Sequence, residues 1–180
     1  MKACQILDVP VVVSEQVPKK LGYTHSDISP PFLKKYEKTS FSMQAGKHAD
    51  AEVAIVVGIE THVCILQTCL DLLESGTQVH VVTDAVSSQR AQDREIALRR
   101  LETSGAFLTT AESLVFQMLR DSQHKHFRTI SKLCIERAKR DSMEKKKVET
   151  NNEVIRLNTS NEFKFKEYVS FFFFHTQQPT

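Results

Sequence analysis

The sequence of 180 residues lacks the long apolar run that a membrane-spanning helix requires. Such a helix needs about 20 consecutive apolar residues, and the apolar runs of this chain are much shorter. The N-terminal segment MKACQILDVPVVV also lacks a signal-like apolar stretch, because Asp8 and Pro10 interrupt it. We therefore expect no membrane contact and no export. The expected compartment is the cytoplasm, with mitochondrial, peroxisomal and nuclear locations left open.

The sequence also lacks an excess of charge of either sign. Its 24 basic and 22 acidic side chains give a formal net charge of +2, and the two signs are interspersed. Without a basic face, a nucleic-acid partner is not expected. Apolar residues make up 41% of the chain and charged residues 26%, a balance that is typical of a folded globular domain.

Cysteines are few, and they lack the spacing of a metal site. They are Cys4, Cys64, Cys69 and Cys134; no CxxC pair occurs, and none stands at metal-ligand spacing from a histidine. Gly58 belongs to no glycine-rich dinucleotide motif. We therefore expect reduced thiols and no cofactor, neither metal nor dinucleotide.

Strand patterns and helix patterns alternate along the chain. Residues 1–8 have the pattern of the end of a helix and 10–17 that of a buried strand, whereas 32–50 has no clear pattern. The strands predicted over 51–59, 78–85 and 106–110 are followed by helices over about 61–75, 93–104 and 112–120, and then by a helix over 124–140. Thr109 and Glu112 form a capping-box pattern. Such alternation predicts parallel strands joined by crossover helices, which is an α/β fold.

The composition changes near residue 136. The segment 136–180 has mixed charges, little periodicity and four consecutive phenylalanines at positions 171–174. This run is too short for a membrane span. We predict that residues 1–135 form the folded domain, and that residues 136–180 are a poorly ordered extension outside the core.

The segment VVGIETHVCILQT, residues 56–68, puts Cys64 where a strand ends and a helix begins. Thr61 is the predicted N-cap, so Cys64 is the third helical residue. At that position the helix dipole favours thiolate over thiol, and backbone N–H groups are placed to hold an oxyanion. A nucleophile is therefore one interpretation, and a small buried side chain is the other. Cys69, on the apolar face of the same helix, is expected to be such a buried side chain.

Residues 58–119, from GIETHVC to SLVFQML, resemble the isochorismatase-like cysteine hydrolases, most closely the isochorismatase domain-containing proteins of animals. PVVVSEQVPKKLG and EKTSFSM match the same pattern in the same order, so the resemblance covers residues 3 to about 135. It implies a three-layer α/β/α Rossmann-like sandwich and a catalytic triad of aspartate, lysine and cysteine. The cysteine corresponds to Cys64 and the lysine to Lys38, whose ammonium would favour the thiolate.

The resemblance also implies how an oxyanion would be held. It predicts a cis peptide bond between Ile59 and Glu60. The oxyanion hole would then consist of the backbone N–H groups of Glu60 and Cys64.

Three further residues are candidates for the lining of a pocket: Gln16, Phe41 and His62. Gln16 follows Glu15 at the end of a strand, and a polar strand terminus explains both residues about as well. His62 and His80 lack the carboxylate–histidine cluster of a metal site. A solvated helix start is the expected place of Arg90, Asp93 and Arg94.

The aspartate of the triad has no counterpart in this sequence. In the family it follows the first, central strand in a segment resembling DMQ, whereas this chain opens with KACQILDVPVVVSEQ, which matches the next helix and strand. Asp8 lies in the turn between these two elements and does not replace it. The first strand of the family fold is thus absent, and the link after Met43 is shorter than usual. Its neighbours would expose apolar edges unless another element or another chain covers them.

Two functions are compatible with these observations. The first is hydrolysis of a small amide, carbamoyl or related substrate by a cysteine nucleophile, impaired by the missing aspartate. The alternative is a catalytically inactive family member that acts through protein–protein association. The predicted partners are a small-molecule substrate and either a second copy of the chain or another protein.

Overall fold

The computed structural model describes residues 1–25, 28, 33–43, 51–155 and 170–175, and for 144–155 and 170–175 it describes the backbone alone. The helices are α1 (Lys2–Ile6), α2 (Pro18–Leu21), α3 (Leu66–Glu74), α4 (Ala91–Thr103), α5 (Ala111–Leu119) and α6 (Phe127–Ile155). A π-helical turn, Thr61–Ile65, leads directly into α3. The strands are β1 (Val11–Gln16), β2 (Lys35–Lys38), β3 (Val53–Ile59), β4 (Gln78–Ser87), β5 (Phe107–Thr109) and β6 (Ser170–His175).

The six strands form one sheet in the order β2-β1-β6-β3-β4-β5. Strands β1 and β2 are parallel, as are β3 with β4 and β4 with β5. Strand β6 runs antiparallel to both of its neighbours, β1 and β3. The predicted α/β fold, with parallel strands and connecting helices, is confirmed. The short strand β2 falls within the segment for which no pattern was found.

The core is built on β3 and β4, whose valines and isoleucines suit strands that are covered on both faces. Helix α3 packs its apolar face against them, as its periodicity predicts. Leu72 and Cys69 of this face are almost completely buried. The buried cluster consists of Met43, Ala51, Ala54, Val56, Ile65, Leu66, Cys69, Leu72, Val79, Val81, Val86, Leu101 and Ala106.

The described chain divides into two compact units. The first holds Met1–Leu114 together with β6, and therefore contains the whole sheet and Cys64. The second begins at Val115 and contains α6, which continues to Ile155 rather than ending at residue 140 as expected. The domain boundary at residue 135 stays a prediction. None of the described helices is both long and apolar enough to cross a membrane.

Strand β6 comes from the segment 136–180, which was expected to lie outside the core. The backbone of Phe172, for example, is aligned with Val12 on one side and Val56 on the other. For these six residues the structure differs from the expectation. The reason is that phenylalanine favours extended backbone, and that β1 and β3 offer backbone groups that need partners. An element of the same chain thus fills the centre of the sheet.

The start of α5 differs from the predicted capping box by one residue. Thr110, and not Thr109, is the cap, because its Oγ1 accepts the backbone N–H of Ser113 at 3.2 Å. The N–H of Ala111 donates to Oδ1 of Asp84 at 2.8 Å. These two bonds satisfy N–H groups that the first helical turn leaves without intrahelical partners.

Candidate active site

The side chains of Lys38 and Cys64 lie together, although they come from separate parts of the sheet. The distance from Lys38 Nζ to Cys64 Sγ is 3.8 Å. Lys38 is the last residue of β2, and Cys64 follows the end of β3. Both therefore stand at the carboxyl edge of the parallel strands, where α/β proteins bind their ligands. Cys64 is only 9% exposed, which strengthens the attraction between an ammonium and a thiolate.

The ammonium of Lys38 is surrounded by neutral oxygen acceptors. It donates to Oε1 of Gln16 at 2.5 Å, to the carbonyl of Ser40 at 2.9 Å and to the carbonyl of Phe41 at 2.8 Å. An ammonium has three donors, so these acceptors and the sulfur share them. Within the described residues, no carboxylate pairs with this ammonium. Burial lowers the pKa of Lys38, and the neighbouring Cys64 only partly opposes that change.

Gln16 is held in a fixed orientation beside Lys38. The two residues are aligned on the neighbouring strands β1 and β2. The Nε2 group of Gln16 donates to the carbonyl of Thr39 at 2.6 Å, which turns Oε1 toward the ammonium. Gln16 therefore positions Lys38. Whether it also lines a substrate pocket stays a prediction.

Thr68 connects the segment after Lys38 to the turn that carries Cys64. Its side chain is buried, and its Oγ1 accepts the backbone N–H of Met43 at 3.1 Å. The same hydroxyl donates to the carbonyl of Cys64 at 2.6 Å. Sequence reasoning missed Thr68. The available signal was its spacing of four residues from Cys64, at which a helical threonine bonds back to a carbonyl.

Cys64 stands in a π-helical turn, a feature that is frequent at functional sites. The N–H of Ile65 donates to the carbonyl of Glu60, five residues earlier, at 3.2 Å. Thr61 is not the N-cap, because its hydroxyl donates to the carbonyl of Ser87 in β4 at 2.9 Å. Glu60 takes the cap position, without a side-chain capping bond. The peptide bond between Ile59 and Glu60 is cis, as the resemblance implied.

His62 takes part in a separate polar group at the end of β4. Its Nδ1 lies 3.0 Å from Oγ of Ser88 and 3.6 Å from Oε2 of Glu60. Its Nε2 lies 4.0 Å from Oδ2 of Asp93, near the start of α4. The same Oε2 of Glu60 accepts the backbone N–H of Gln89 at 2.8 Å. These contacts bind β4 and α4 to the turn before Cys64.

The three candidate pocket residues thus have different surroundings. Gln16 contacts Lys38 through its side chain, and Phe41, a residue that is 52% exposed, contacts it through its carbonyl. His62 belongs to the separate group described above. The structure therefore groups two of the three with Lys38 and Cys64.

Two carboxylates near β1 lie apart from Lys38. Glu15 is buried and faces the loop after α2, where its Oε1 accepts the N–H of Thr24 at 2.8 Å. Lys35 lies 3.8 Å from the same oxygen. Asp8 precedes β1, whereas Gln16 ends it, so Asp8 belongs to the opposite edge of the sheet. The described residues therefore offer no replacement for the aspartate of the triad at Lys38.

The remaining polar candidates have structural contacts. Arg94 was expected in solvent, yet its guanidinium donates to two carbonyls of β4, that of Val86 at 3.1 Å and that of Thr83. His80 stacks on Phe107 with ring centroids 5.0 Å apart, and burial lowers its pKa. The histidines, cysteines and carboxylates that the structure describes include no group of three that could hold a metal ion.

The other three cysteines differ from Cys64. All four are free thiols. Cys69 is fully buried, as predicted, and burial raises its pKa from the ordinary 9.0 to about 12. Burial also raises the pKa of Cys4, while Cys134 lies half-buried on α6. Cys64 has Lys38 Nζ 3.8 Å from its sulfur, and Cys4 has the N-terminal amino group beside its own, which only partly opposes the effect of burial on its pKa.

The fold and this site define an α/β protein that carries a cysteine and a lysine at the carboxyl edge of a parallel sheet. Comparison with known families makes the assignment more specific. The model of the isochorismatase domain matches residues 1–113. The chain belongs to the isochorismatase family.

Curated relatives agree over most of the chain. Isochorismatase family protein 1B of Dictyostelium discoideum is 43% identical over 156 residues, which cover 79% of this chain and 75% of the relative. Isochorismatase domain-containing protein 2 of Bos taurus is 44% identical over 76% of this chain and 70% of the relative. Both comparisons confirm the resemblance that the motifs indicated.

Solved structures show the same fold. The MAR1 ribonuclease of Caenorhabditis elegans has a TM-score of 0.69 and 41% identity, over 74% of this chain and 73% of its own. The YcaC gene product of Escherichia coli, described as an octameric hydrolase of unknown specificity, has a TM-score of 0.63. Its identity is 19%, over 76% of this chain and 78% of its own, so this likeness concerns the fold alone.

Proposed function

We propose that this chain hydrolyses a small amide, carbamoyl or related substrate and that Cys64 is its nucleophile. The observation that carries the proposal is the 3.8 Å contact between Cys64 Sγ and Lys38 Nζ. An ammonium at this distance favours the thiolate, which is the nucleophilic form of cysteine. Membership of the isochorismatase family supports the same reaction class.

The first step forms a bond between sulfur and the substrate carbon. The thiolate of Cys64 attacks the carbonyl carbon, and the π electrons of the C=O bond move to its oxygen. The backbone N–H groups of Glu60 and Cys64 hold this oxyanion. The position of Cys64 in the helical turn directly after β3 supports that role.

Lys38 moves the protons of the reaction. As the bond to the leaving nitrogen breaks, Lys38 Nζ gives that nitrogen a proton, which leaves a thioester on Cys64 and a neutral amine on Lys38. Water then attacks the thioester, passes a proton to Lys38 and restores the thiolate as the acid departs. Burial makes the ammonium a stronger acid, because it lowers the pKa of Lys38, and this suits proton donation near neutral pH.

The test follows both the covalent intermediate and the released product. The intact chain is mixed with a panel of small primary amides and carbamoyl compounds, and its mass is recorded together with ammonia release. We expect a transient acyl adduct on Cys64 and steady release of ammonia. Cys64→Ser should abolish both, whereas the matched control Cys69→Ser should retain both. Absence of adduct and product across the panel would contradict the proposal.

RNA belongs in the same panel, because one solved relative is named a ribonuclease. We expect no cleavage of an RNA oligonucleotide under conditions that give amide turnover. Cleavage of RNA that depends on Cys64, without any amide turnover, would replace the proposed substrate class.

Association with a second copy or a protein partner is the second candidate function. It is supported by large apolar side chains that are exposed on α4 and β5, Ile96 and Phe107. Sedimentation velocity combined with the amide assay separates the two functions. An oligomer or complex without turnover would favour association, and a monomer with turnover would exclude it.

A further inference from the structure

Strand β6 is the sole connection between two parts of the sheet within the described residues. On one side it pairs with β1, which carries β2, and on the other with β3, which carries β4 and β5. Strands β1 and β3 have no direct pairing with each other in this order. Removal of β6 would therefore leave a two-stranded part and a three-stranded part.

The candidate active site spans the same division. Gln16 and Lys38 belong to β1 and β2, while Cys64 follows β3. The contact of 3.8 Å between Lys38 and Cys64 therefore joins residues from both parts. Its length depends on the separation of β1 from β3.

The register shows where β6 ends relative to the site. Ser170, its first residue, is aligned with Ser14 of β1 and with Gly58 of β3. Strand β1 continues two residues further, to Gln16, and β3 continues one residue further, to Ile59. The ends of β1 and β3, which lead to the site, thus lie one or two residues beyond the positions that β6 holds apart.

We propose that the space between β1 and β3 is a strand-binding groove, that the C-terminal segment SFFFFH is its ligand, and that its binding sets the contact between Lys38 and Cys64. The effect on Cys64 rests on the proposed nucleophile, whereas the groove itself does not. The segment suits this place because it contains no proline and no charged residue from 170 to 174. Aromatic residues favour strands, and a continuous apolar run suits a strand in the centre of a sheet.

The spacing of strands gives the size of the effect. Neighbouring strands lie about 4.8 Å apart, so β1 and β3 are about 9.6 Å apart across β6. If β6 left, the two strands could pair only by closing about one strand spacing. A movement of that size exceeds the distance between Lys38 Nζ and Cys64 Sγ, 3.8 Å, so the two side chains could not keep their present geometry.

Hydrogen exchange tests the groove in the intact wild-type chain. The central position of β6 predicts slow exchange of its backbone amides, comparable to those of β3, because its neighbours pair with it on both sides. Exchange of residues 170–175 at the rate of an unstructured peptide would overturn the proposal.

A pair of substitutions at one position tests the link to Cys64. Phe172→Pro removes a backbone donor in the middle of β6, which a central strand does not tolerate, whereas Phe172→Val keeps strand propensity. In the proline variant, we expect alkylation of Cys64 by iodoacetamide to slow at least about tenfold, because a nearby opposite charge is lost. The valine variant should stay within about twofold of wild type, since its backbone pairing is unchanged.

The outcomes separate this proposal from the proposed function. A folded Phe172→Pro variant with an unchanged Cys64 rate would overturn the link between β6 and the site. If circular dichroism shows that Phe172→Pro is unfolded while Phe172→Val is native, the requirement for a filled groove is supported. Slow alkylation of Cys64 in wild type would contradict only its proposed role as the nucleophile. Hydrogen exchange would still test whether β6 binds between β1 and β3.

Discussion

The buried hydroxyl of Thr68 provides the sharpest test of how the site is held together. Thr68→Val keeps the shape of the side chain but removes the acceptor for the N–H of Met43 and the donor to the carbonyl of Cys64. A buried polar group that loses its partner costs about 1–3 kcal/mol. Thr68 is 1% exposed, so water cannot readily replace the lost bonds. We expect the free energy of unfolding to fall by about 1–3 kcal/mol.

The same substitution should affect the reactivity of Cys64, because the segment after Lys38 loses its connection to the helix. Urea unfolding followed by circular dichroism measures the stability, and mass spectrometry follows alkylation of Cys64 by iodoacetamide. Thr68→Ser is the matched control, since it retains the hydroxyl and should retain the rate. Wild-type stability and a wild-type alkylation rate in Thr68→Val would refute this account of the site.

Further variants test the ammonium of Lys38, the side chain of Gln16 that positions it, and the hydrophobic core. Lys38→Met should slow alkylation of Cys64 about 10- to 30-fold near neutral pH, the lower part of the range for a nearby opposite charge. Since the pKa of Lys38 lies below 10.5, the ratio of wild-type to variant rates should approach one as the pH rises to that value. Between the lowered pKa of Lys38 in the folded chain and 10.5, the unfolded chain binds more protons than the folded one. The stability of wild type relative to Lys38→Met should therefore rise with pH over that range. Gln16→Ala should slow alkylation by less than Lys38→Met, because the carbonyls of Ser40 and Phe41 still hold the ammonium. Leu72→Ala should cost about 2–5 kcal/mol in urea unfolding without a selective change at Cys64, and the opposite pattern would contradict the packing described for α3.

The alternation of strands and helices could be predicted because burial imposes it on the sequence. The valines of β3 and β4 and the apolar periodicity of α3 are local patterns that burial on both faces of a strand, or on one face of a helix, requires. The short strand β2 escaped prediction because four residues with alternating exposure at an edge carry little pattern.

The centre of the sheet could not be predicted, because its strand comes from the far end of the chain. Four phenylalanines following a charged segment show no periodicity that reveals a partner, and β6 pairs with residues more than a hundred positions away. The strand preference of phenylalanine suits it to a strand, but the backbone groups of β1 and β3 decide which place in the sheet it takes.

Within the site, the position of Cys64 and the identity of its neighbours were predicted from different kinds of information. The place of Cys64 after a strand could be read from the sequence, but its neighbour Lys38 came from the family resemblance, since no spacing connects residues on separate strands. The bonds of Gln16 and Thr68 depend on side chains meeting across the fold, so local sequence carries little signal for them.

Competitive alkylation of the four cysteines in the folded wild-type chain tests the central claim most directly. Each thiol is followed by mass spectrometry at neutral pH with limiting iodoacetamide. We expect Cys64 to react first, because Lys38 Nζ lies 3.8 Å from its sulfur, whereas burial raises the pKa of Cys4 despite the N-terminal amino group beside it. Cys69 should react last, since a pKa of about 12 leaves it about a thousandfold less thiolate than an ordinary thiol with a pKa of 9.0. Equal rates at all four positions, or faster reaction at Cys4 or Cys134, would contradict the claim that Lys38 activates Cys64.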